Sequence, residues 1–232
     1  MKRLCVIPAR GGSKRIPRKN ALDFFDQPMV AYSINAGLKS GRFDRVVVST
    51  EDDEIAEIGK KFGAEVDFRD PNLATDTATV NEVLFDLLDR EEQVGRKYDV
   101  ISCLYATAPL RTQDDVRGVV DLIEPGNCDF ALAVTSFDLP AHQAMYMDTG
   151  GVLSALIPNL INKRASEVGT IRVDNGSTYA AKVSAYREVG HFFGPGCKGH
   201  DMPRERSCDL DEPEDLDILR WHAKKIWGQT NS

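Results

Sequence analysis

The sequence predicts an α/β fold, doubly wound around a mostly parallel sheet, and three observations point to it. Four short apolar runs recur: Leu4–Ile7, Val46–Val48, Val100–Leu104 and Phe130–Val134. They are nearly continuous and rich in Val and Ile, as strands buried on both faces are. Amphipathic helical segments lie between them, and strand–helix alternation at this spacing gives right-handed βαβ units.

After the first run comes a cationic turn, then a helix from about Met29 to Lys39 with Val30, Ile34 and Leu38 on one face. After the second run, Thr50-x-x-Asp53 predicts a capping-box-like start, followed by Ile55, Ile58 and Phe62 at helical spacing. Val80, Val83, Leu84, Leu87 and Leu88 predict the next helix. Val116, Val119, Val120 and Ile123 predict another, with Thr112 as its N-cap. From 137 to 170 the pattern breaks into Pro- and Gly-punctuated pieces, with Met145, Tyr146, Met147, Leu153, Leu156, Ile157, Leu160 and Ile161 irregularly spaced. Two readings stand: an insertion with its own core, or an arm that contacts a second subunit. Asn175-Gly176 then separates Thr170–Val173 from Ser177–Lys182, a hairpin-like signal. The last helix runs from Pro213 to Trp227, with Leu216, Leu219, Ala223, Ile226 and Trp227 on one face.

With 232 residues, 42% of them hydrophobic and 28% charged, the chain is ordinary globular material and reads as one domain over 1–232. No apolar run approaches the ~20 residues that span a bilayer, and the first apolar stretch is too short for a signal peptide. Five cysteines without C-x-x-C spacing support neither a disulfide framework nor a zinc knuckle, so the expectation is a reduced, cytoplasmic protein. A net charge of −7 argues against a nucleic-acid binder. Yet residues 9–20 hold five cations and no carboxylate. A cationic loop on an acidic chain suits a small anionic ligand.

That loop directly follows the first strand, where open α/β sheets bind ligands. Gly11 and Gly12 let backbone N–H groups approach an anion closely, and Arg10, Lys14 and Lys19 can neutralise phosphate oxygens. The spacing is neither that of a Walker A loop nor that of G-x-G-x-x-G.

Ile7-Pro8-Ala9-Arg10-Gly11-Gly12-Ser13-Lys14-Arg15-Ile16-Pro17-Arg18-Lys19-Asn20 closely resembles the signature of the acylneuraminate cytidylyltransferases, pseudaminate and legionaminate branches included. The likeness continues through Pro28–Ile34, Val47–Asp52, Arg69–Thr77, Leu104–Arg111 and Asp209–Asp215. It implies a Rossmann-like sheet of the nucleotidyltransferase type, with 137–170 as a small dimerisation insertion and a homodimer as the assembly. The implied reaction moves CMP from CTP to the anomeric hydroxyl of a nonulosonic acid and releases pyrophosphate, with Mg²⁺ as cofactor. By position, Arg10, Ser13, Lys14 and Lys19 hold the CTP phosphates, and Asn20 and Arg69 read the cytosine and ribose. By the same likeness Asp209 and Asp211 would ligate the metal, and Tyr105, Arg164, Asn175, Tyr179, Phe192 and Phe193 would line the sugar-acid pocket. The catalytic set it implies is Arg10, Lys14, Lys19 and Asp211.

Some of these residues also have plainer readings. Asp211-x-x-Glu214 before an apolar helix is a capping box, with Pro213 suited to the first turn. Asn175-Gly176 reads equally as a type I′ turn, and Phe192-Phe193 as core. His142, His191, His200 and His222 are scattered and read as surface or packing residues; Arg204 and Arg206 read as partners of the acidic motif's carboxylates. Tyr105-Ala106-Thr107-Ala108-Pro109 stands where N-acetylneuraminate enzymes have Gln-Pro-Thr-Ser-Pro, and looks like the pseudaminate branch. Asp174–Tyr179 looks more like the neuraminate and legionaminate branches. The substrate expected is a nonulosonic acid, with a lean towards a bacterial di-N-acylated 6-deoxy one. Two other classes remain: a glycosyltransferase with Asp209-Leu210-Asp211 as its D-x-D motif, which releases no pyrophosphate, and a non-catalytic nucleotide-binding module.

Overall fold

In chain order the elements are β1 (Arg3–Pro8), a ribbon of β2 (Asp23–Phe24) and β3 (Gln27–Pro28), α1 (Met29–Ser40), β4 (Arg45–Thr50), α2 (Asp53–Lys61), β5 (Glu65–Phe68), α3 (Val80–Gln93), β6 (Val100–Leu104), α4 (Gln113–Val120), β7 (Phe130–Thr135), a hairpin of β8 (Met145–Met147) and β9 (Leu153–Ala155), α5 (Ala165–Val168), β10 (Val173–Lys182), α6 (Val183–Val189), β11 (Lys198–Asp201) and α7 (Pro213–Gly228). This computed structural model describes residues 1–124 and 126–228.

Seven strands form the central sheet in the order β11-β7-β10-β6-β1-β4-β5. All neighbours are parallel except β10, which runs antiparallel to both β6 and β7. The winding steps outward from β1 through β4 to β5, then returns to place β6 on the other side of β1. Such a reversal opens a crevice beyond the carboxyl ends of the strands.

Alternate residues of β1 feed two cores. Cys5 and Ile7 pack with Val30 and Ile34 of α1, Ile55 of α2 and Val116 of α4. Leu4 and Val6 pack with Val83 and Leu84 of α3 and Tyr186 of α6. Helices therefore cover both faces, as the pattern predicts. A third cluster, Ile16, Phe24, Met29, Leu110, Leu210, Leu219 and Ala223, seats α7 against the loop that follows β1.

Thr112 caps α4 as expected, in a capping box with Asp115. The start of α2 differs from expectation: Thr50 ends β4, and Asp52 is the cap, its carboxylate accepting from the Ile55 amide. The Asn175-Gly176 turn is also overturned. Residues 173–182 form one strand, and Gly176 at φ +66° sits in a bulge where the pairing with β7 shifts register between Asp174 and Tyr179. A glycine that allows positive φ serves a bulge as well as a turn. Strand β5 is an element the sequence does not announce: Glu65-Val66-Asp67-Phe68 is a short edge strand with charges among its apolar positions.

Within 137–170, Met145, Tyr146, Met147 and Leu153 are exposed, so the β8–β9 hairpin has no core of its own. No helix among the described residues is long and apolar enough to cross a membrane. All five cysteines are free thiols.

Candidate active site

The loop that leaves β1 continues the sheet for one residue, with the Ala9 amide donating to the Ser49 carbonyl at 2.9 Å. It closes on itself through buried Asn20, whose Nδ2 donates to the Arg10 carbonyl at 2.9 Å. At Gly11 the backbone amide donates to Glu51 Oε1 at 2.8 Å, and a side chain there would collide with the Asp52 carboxylate. The Gly11 amide is therefore engaged by protein, which leaves Gly12, with open space where a side chain would stand, to approach an anion.

Each cation of the loop faces a carboxylate from another segment. Arg10 Nη1 donates to Asp76 Oδ1 at 2.9 Å and to the Thr75 carbonyl at 3.1 Å. Lys14 pairs with Asp76 as well, and Arg18 pairs with Asp52 and Glu54. Arg15 reaches Glu212 at 2.6 Å and Asp211 at 3.2 Å. Lys19 Nζ donates to the Leu210 carbonyl at 2.7 Å and to Asp211 Oδ1 at 3.1 Å. Lys14 and Arg10 together hold the Asp76 carboxyl below the usual carboxylate range. Most of these pairs are exposed and individually weak. A bound polyphosphate would exchange one anionic partner for another.

Beside the loop lies a cavity of about 260 Å³, lined among others by Arg10, Lys19, Asn20, Arg69, Tyr105 and Thr107. Arg69 is 6% exposed; its Nη2 donates to Glu51 Oε2 at 3.0 Å, and its buried Nε has no partner among the described residues.

Asp209 and Asp211 stand at the other side of Lys19. The Leu210 amide donates to the Thr107 carbonyl at 3.0 Å, which fixes this segment across the end of β6. Asp209 accepts from Thr107, and burial raises its carboxyl above the usual range. Its buried Oδ1 has no partner among the described residues. Asp211 points outward to Lys19 and Arg15. Capping of α7 falls to Asp215, which accepts from the amides of Asp211 and Glu212 at 2.9 and 2.7 Å, so the capping reading of Asp211 is not met. No set of three or more metal-binding side chains occurs among the described residues. Two carboxylates, one with an orphaned oxygen, nonetheless fit magnesium, which takes few protein oxygens and completes its shell with water and phosphate.

The residues read as the sugar pocket are only partly brought together. Tyr105 and Tyr179 lie with ring centroids 5.3 Å apart, and Phe192 and Phe193 follow at 5.5 and 6.4 Å from Tyr179. Phe192 is core, packed on Tyr186, whereas Phe193 is 57% exposed. The Tyr179 hydroxyl donates to Asp174 Oδ2 at 2.8 Å. Asn175 is buried and engaged: Nδ2 donates to Ser207 Oγ at 3.1 Å, and Oδ1 accepts from the Ser177 hydroxyl at 2.8 Å. It holds the β10 bulge. Arg164 stands apart on the exposed arm, at the start of α5. His142 is a packing residue, buried with Nε2 3.0 Å from the Lys163 carbonyl. Arg204 and Arg206 pair with Asp138 and Asp115, not with the acidic motif.

Two residues that tie the site together escape a reading by sequence. Arg111 is buried and donates to the Ser177 carbonyl at 2.6 Å, the Tyr105 carbonyl at 3.3 Å and the Ser33 hydroxyl. It ties the end of β6 to the bulge of β10, and desolvation lowers its pKa to about 10. Glu51 bridges the loop and Arg69. The available signal was its place just beyond a parallel strand's carboxyl end.

A family model described as Cytidylyltransferase matches residues 4–152. The chain is 36% identical over 221 residues to a pseudaminic acid cytidylyltransferase of Campylobacter jejuni, covering 95% of each. It is 38% identical over 219 residues to a CMP-N,N'-diacetyllegionaminic acid synthase of Legionella pneumophila, covering 93% of each. Among solved structures, a CMP:2-keto-3-deoxy-manno-octonic acid synthetase complexed with CTP matches with a TM-score of 0.72 at 17% identity, over 99% of this chain and 100% of that one. At that identity the likeness is one of fold.

Proposed function

This chain belongs to the cytidylyltransferase family, and from that premise we propose that it transfers CMP from CTP to the anomeric hydroxyl of a nonulosonic acid, releasing pyrophosphate. One observation carries the reading into the site. Lys19, Asn20 and Arg10 of the cationic loop meet Arg69 around one cavity, and Lys19 also touches the Asp211 carboxylate. A nucleotide triphosphate needs a base reader, phosphate cations and a metal site within one ligand's length, and this cluster supplies candidates for all three.

Arg10, Ser13, Lys14 and Lys19 hold the triphosphate, with Gly12 giving the backbone room. Asn20 and Arg69 read the base and ribose. Catalysis is positioning and charge stabilisation, since phosphoryl transfer leaves little covalent work to the protein. Lys19, Arg10 and Lys14 stabilise charge as it moves onto the leaving pyrophosphate. Asp209 and Asp211 would hold a magnesium ion, which when bound would supply charge neutralisation at the phosphates and a lowered pKa for the attacking hydroxyl. Tyr105, Tyr179 and Phe193 give the sugar acid an aromatic wall, which suits a di-N-acylated, deoxygenated substrate better than a more hydroxylated one. The pseudaminic and legionaminic names of the relatives support that choice. Residues 137–170 serve as the contact arm of a cytoplasmic homodimer, a reading supported by the exposed apolar side chains of β8 and β9.

The test is pyrophosphate release with Mg²⁺, crossing CTP, UTP, ATP and GTP with neuraminic, legionaminic and pseudaminic acids. Release with CTP and one sugar acid alone is the expected result. Nucleotide binding without release from any pair would favour a binding module.

A further inference from the structure

We propose that Glu51 is a positioning residue that couples base reading to triphosphate binding, a role that rests on the nucleotide assignment above. The two oxygens of this carboxylate serve two parts of the site. Oε1 accepts from the Gly11 amide at 2.8 Å, at the first bend of the cationic loop. Oε2 accepts from Arg69 Nη2 at 3.0 Å, at the wall of the cavity. The adjacent Asp52 occupies the space a side chain at Gly11 would need. Glu51 and Asp52 thus form the surface on which the loop turns.

A carboxylate this close to a phosphate loop is a liability when unpaired. Arg69 neutralises it, and both side chains are largely shielded, 4% and 19% exposed. Truncating one member of such a pair leaves the other charged and partly desolvated. Loss of Arg69 therefore strands a negative charge where the triphosphate enters. It follows that Arg69, assigned to the base, is needed even by a ligand that has no base. Conversely, loss of the Glu51 charge releases Arg69 from its fixed position and blurs the choice of base.

Calorimetric titration with inorganic tripolyphosphate and with CTP separates these effects. Arg69→Ala weakens tripolyphosphate binding about tenfold, the scale of a lost charge-assisted contact. Adding Glu51→Gln, which is isosteric and removes the stranded charge, returns tripolyphosphate binding to within about twofold of wild type, the signature of direct coupling. A merely structural role would make the double variant worse. Glu51→Gln alone raises the KM for CTP with kcat nearly unchanged and lowers the preference for CTP over UTP. If Arg69→Ala weakens CTP but leaves tripolyphosphate untouched, the coupling is overturned and the nucleotide assignment stands. If the wild-type protein binds neither ligand, both fall together.

Discussion

At the nucleotide end of the site, hydrogen-bonding groups are left over. Arg69 Nε and Asp209 Oδ1 are buried without partners among the described residues, and Gly12 faces open space. At the sugar end the side chains assigned to the pocket are engaged, although the buried Nε of Arg111 at the β10 bulge also has no partner among the described residues. The Tyr179 hydroxyl donates to Asp174, both ends of the Asn175 amide are held by serines, and Phe192 lies in the core. Buried polar groups without partners cost stability and persist where a ligand completes them. On the proposed assignment a ligand would complete the nucleotide end, while the sugar end offers chiefly an aromatic surface. Substitutions should lower activity at the first and stability at the engaged groups of the second, with the exposed Phe193 ring affecting sugar binding alone.

The largest expected effect is at Lys19. It joins the loop to the acidic motif through the Leu210 carbonyl and Asp211. Lys19→Ala should lower kcat by about 10²–10³, as loss of one preorganised charge donor does. Unfolding should change by no more than about 1–2 kcal/mol, because Asp211 is 54% exposed and the bond lost at the Leu210 carbonyl is a single one. Turnover within a few-fold of wild type would move the catalytic weight to Arg10 and Lys14, and the comparison would lose its strongest member.

Asp211→Asn comes next. Asp215 caps α7, so removing the Asp211 charge leaves the helix start intact. The rate should fall by about tenfold or more, with a higher Mg²⁺ concentration for half-maximal rate, while helical content is unchanged. Unchanged magnesium dependence would take Asp211 out of the metal site.

Local chemistry marked Lys19 as one cation of a run after a strand, whereas the metal role of Asp211 came from the family resemblance, because its local pattern reads equally as a helix cap. Sheet strands with unbroken apolar runs were legible from local pattern, as Lys19 was. What failed was chemistry with two possible uses. Asn175-Gly176 supports a turn or a bulge, and only the neighbours of β10 decide between them. Glu51 and Arg111 were invisible because their partners lie far along the chain, Gly11 and Arg69 for one and Ser33 and Ser177 for the other. The loop's cations were visible, but the carboxylates that compensate them, Asp76, Asp52, Glu54 and Glu212, come from distant segments brought in by the fold.

Tyr179→Phe sharpens the comparison from the engaged side. It removes a bond to Asp174 and leaves that carboxylate short of a donor, at a cost of about 1–2 kcal/mol in unfolding. Burial and the Asp174 charge push the hydroxyl far above the usual phenol range, so Tyr179 contributes no ionisation to a rate profile between pH 6 and about pH 10. Denaturant unfolding should register the change more clearly than KM for the sugar acid does. A large loss of kcat with stability unchanged would make the Tyr179 hydroxyl, and not only its ring, a substrate contact and erase the contrast between the two ends.

Phe193→Ala is the smallest and the most selective. The ring is 57% exposed and lies 6.4 Å from Tyr179 in an edge-on arrangement, so little of the fold depends on it. Its neighbour Phe192 remains to hold the core contact with Tyr186. An aromatic side chain left in water beside a row of other rings is poised to cover a ligand's apolar face, a contact of about 0.5–1.5 kcal/mol. The expected outcome is therefore a rise of about three- to tenfold in KM for the sugar acid, at unchanged KM for CTP and unchanged melting temperature. The KM for CTP is the internal control. If it rises in parallel, Phe193 acts through the loop, and the aromatic row belongs to the nucleotide end after all.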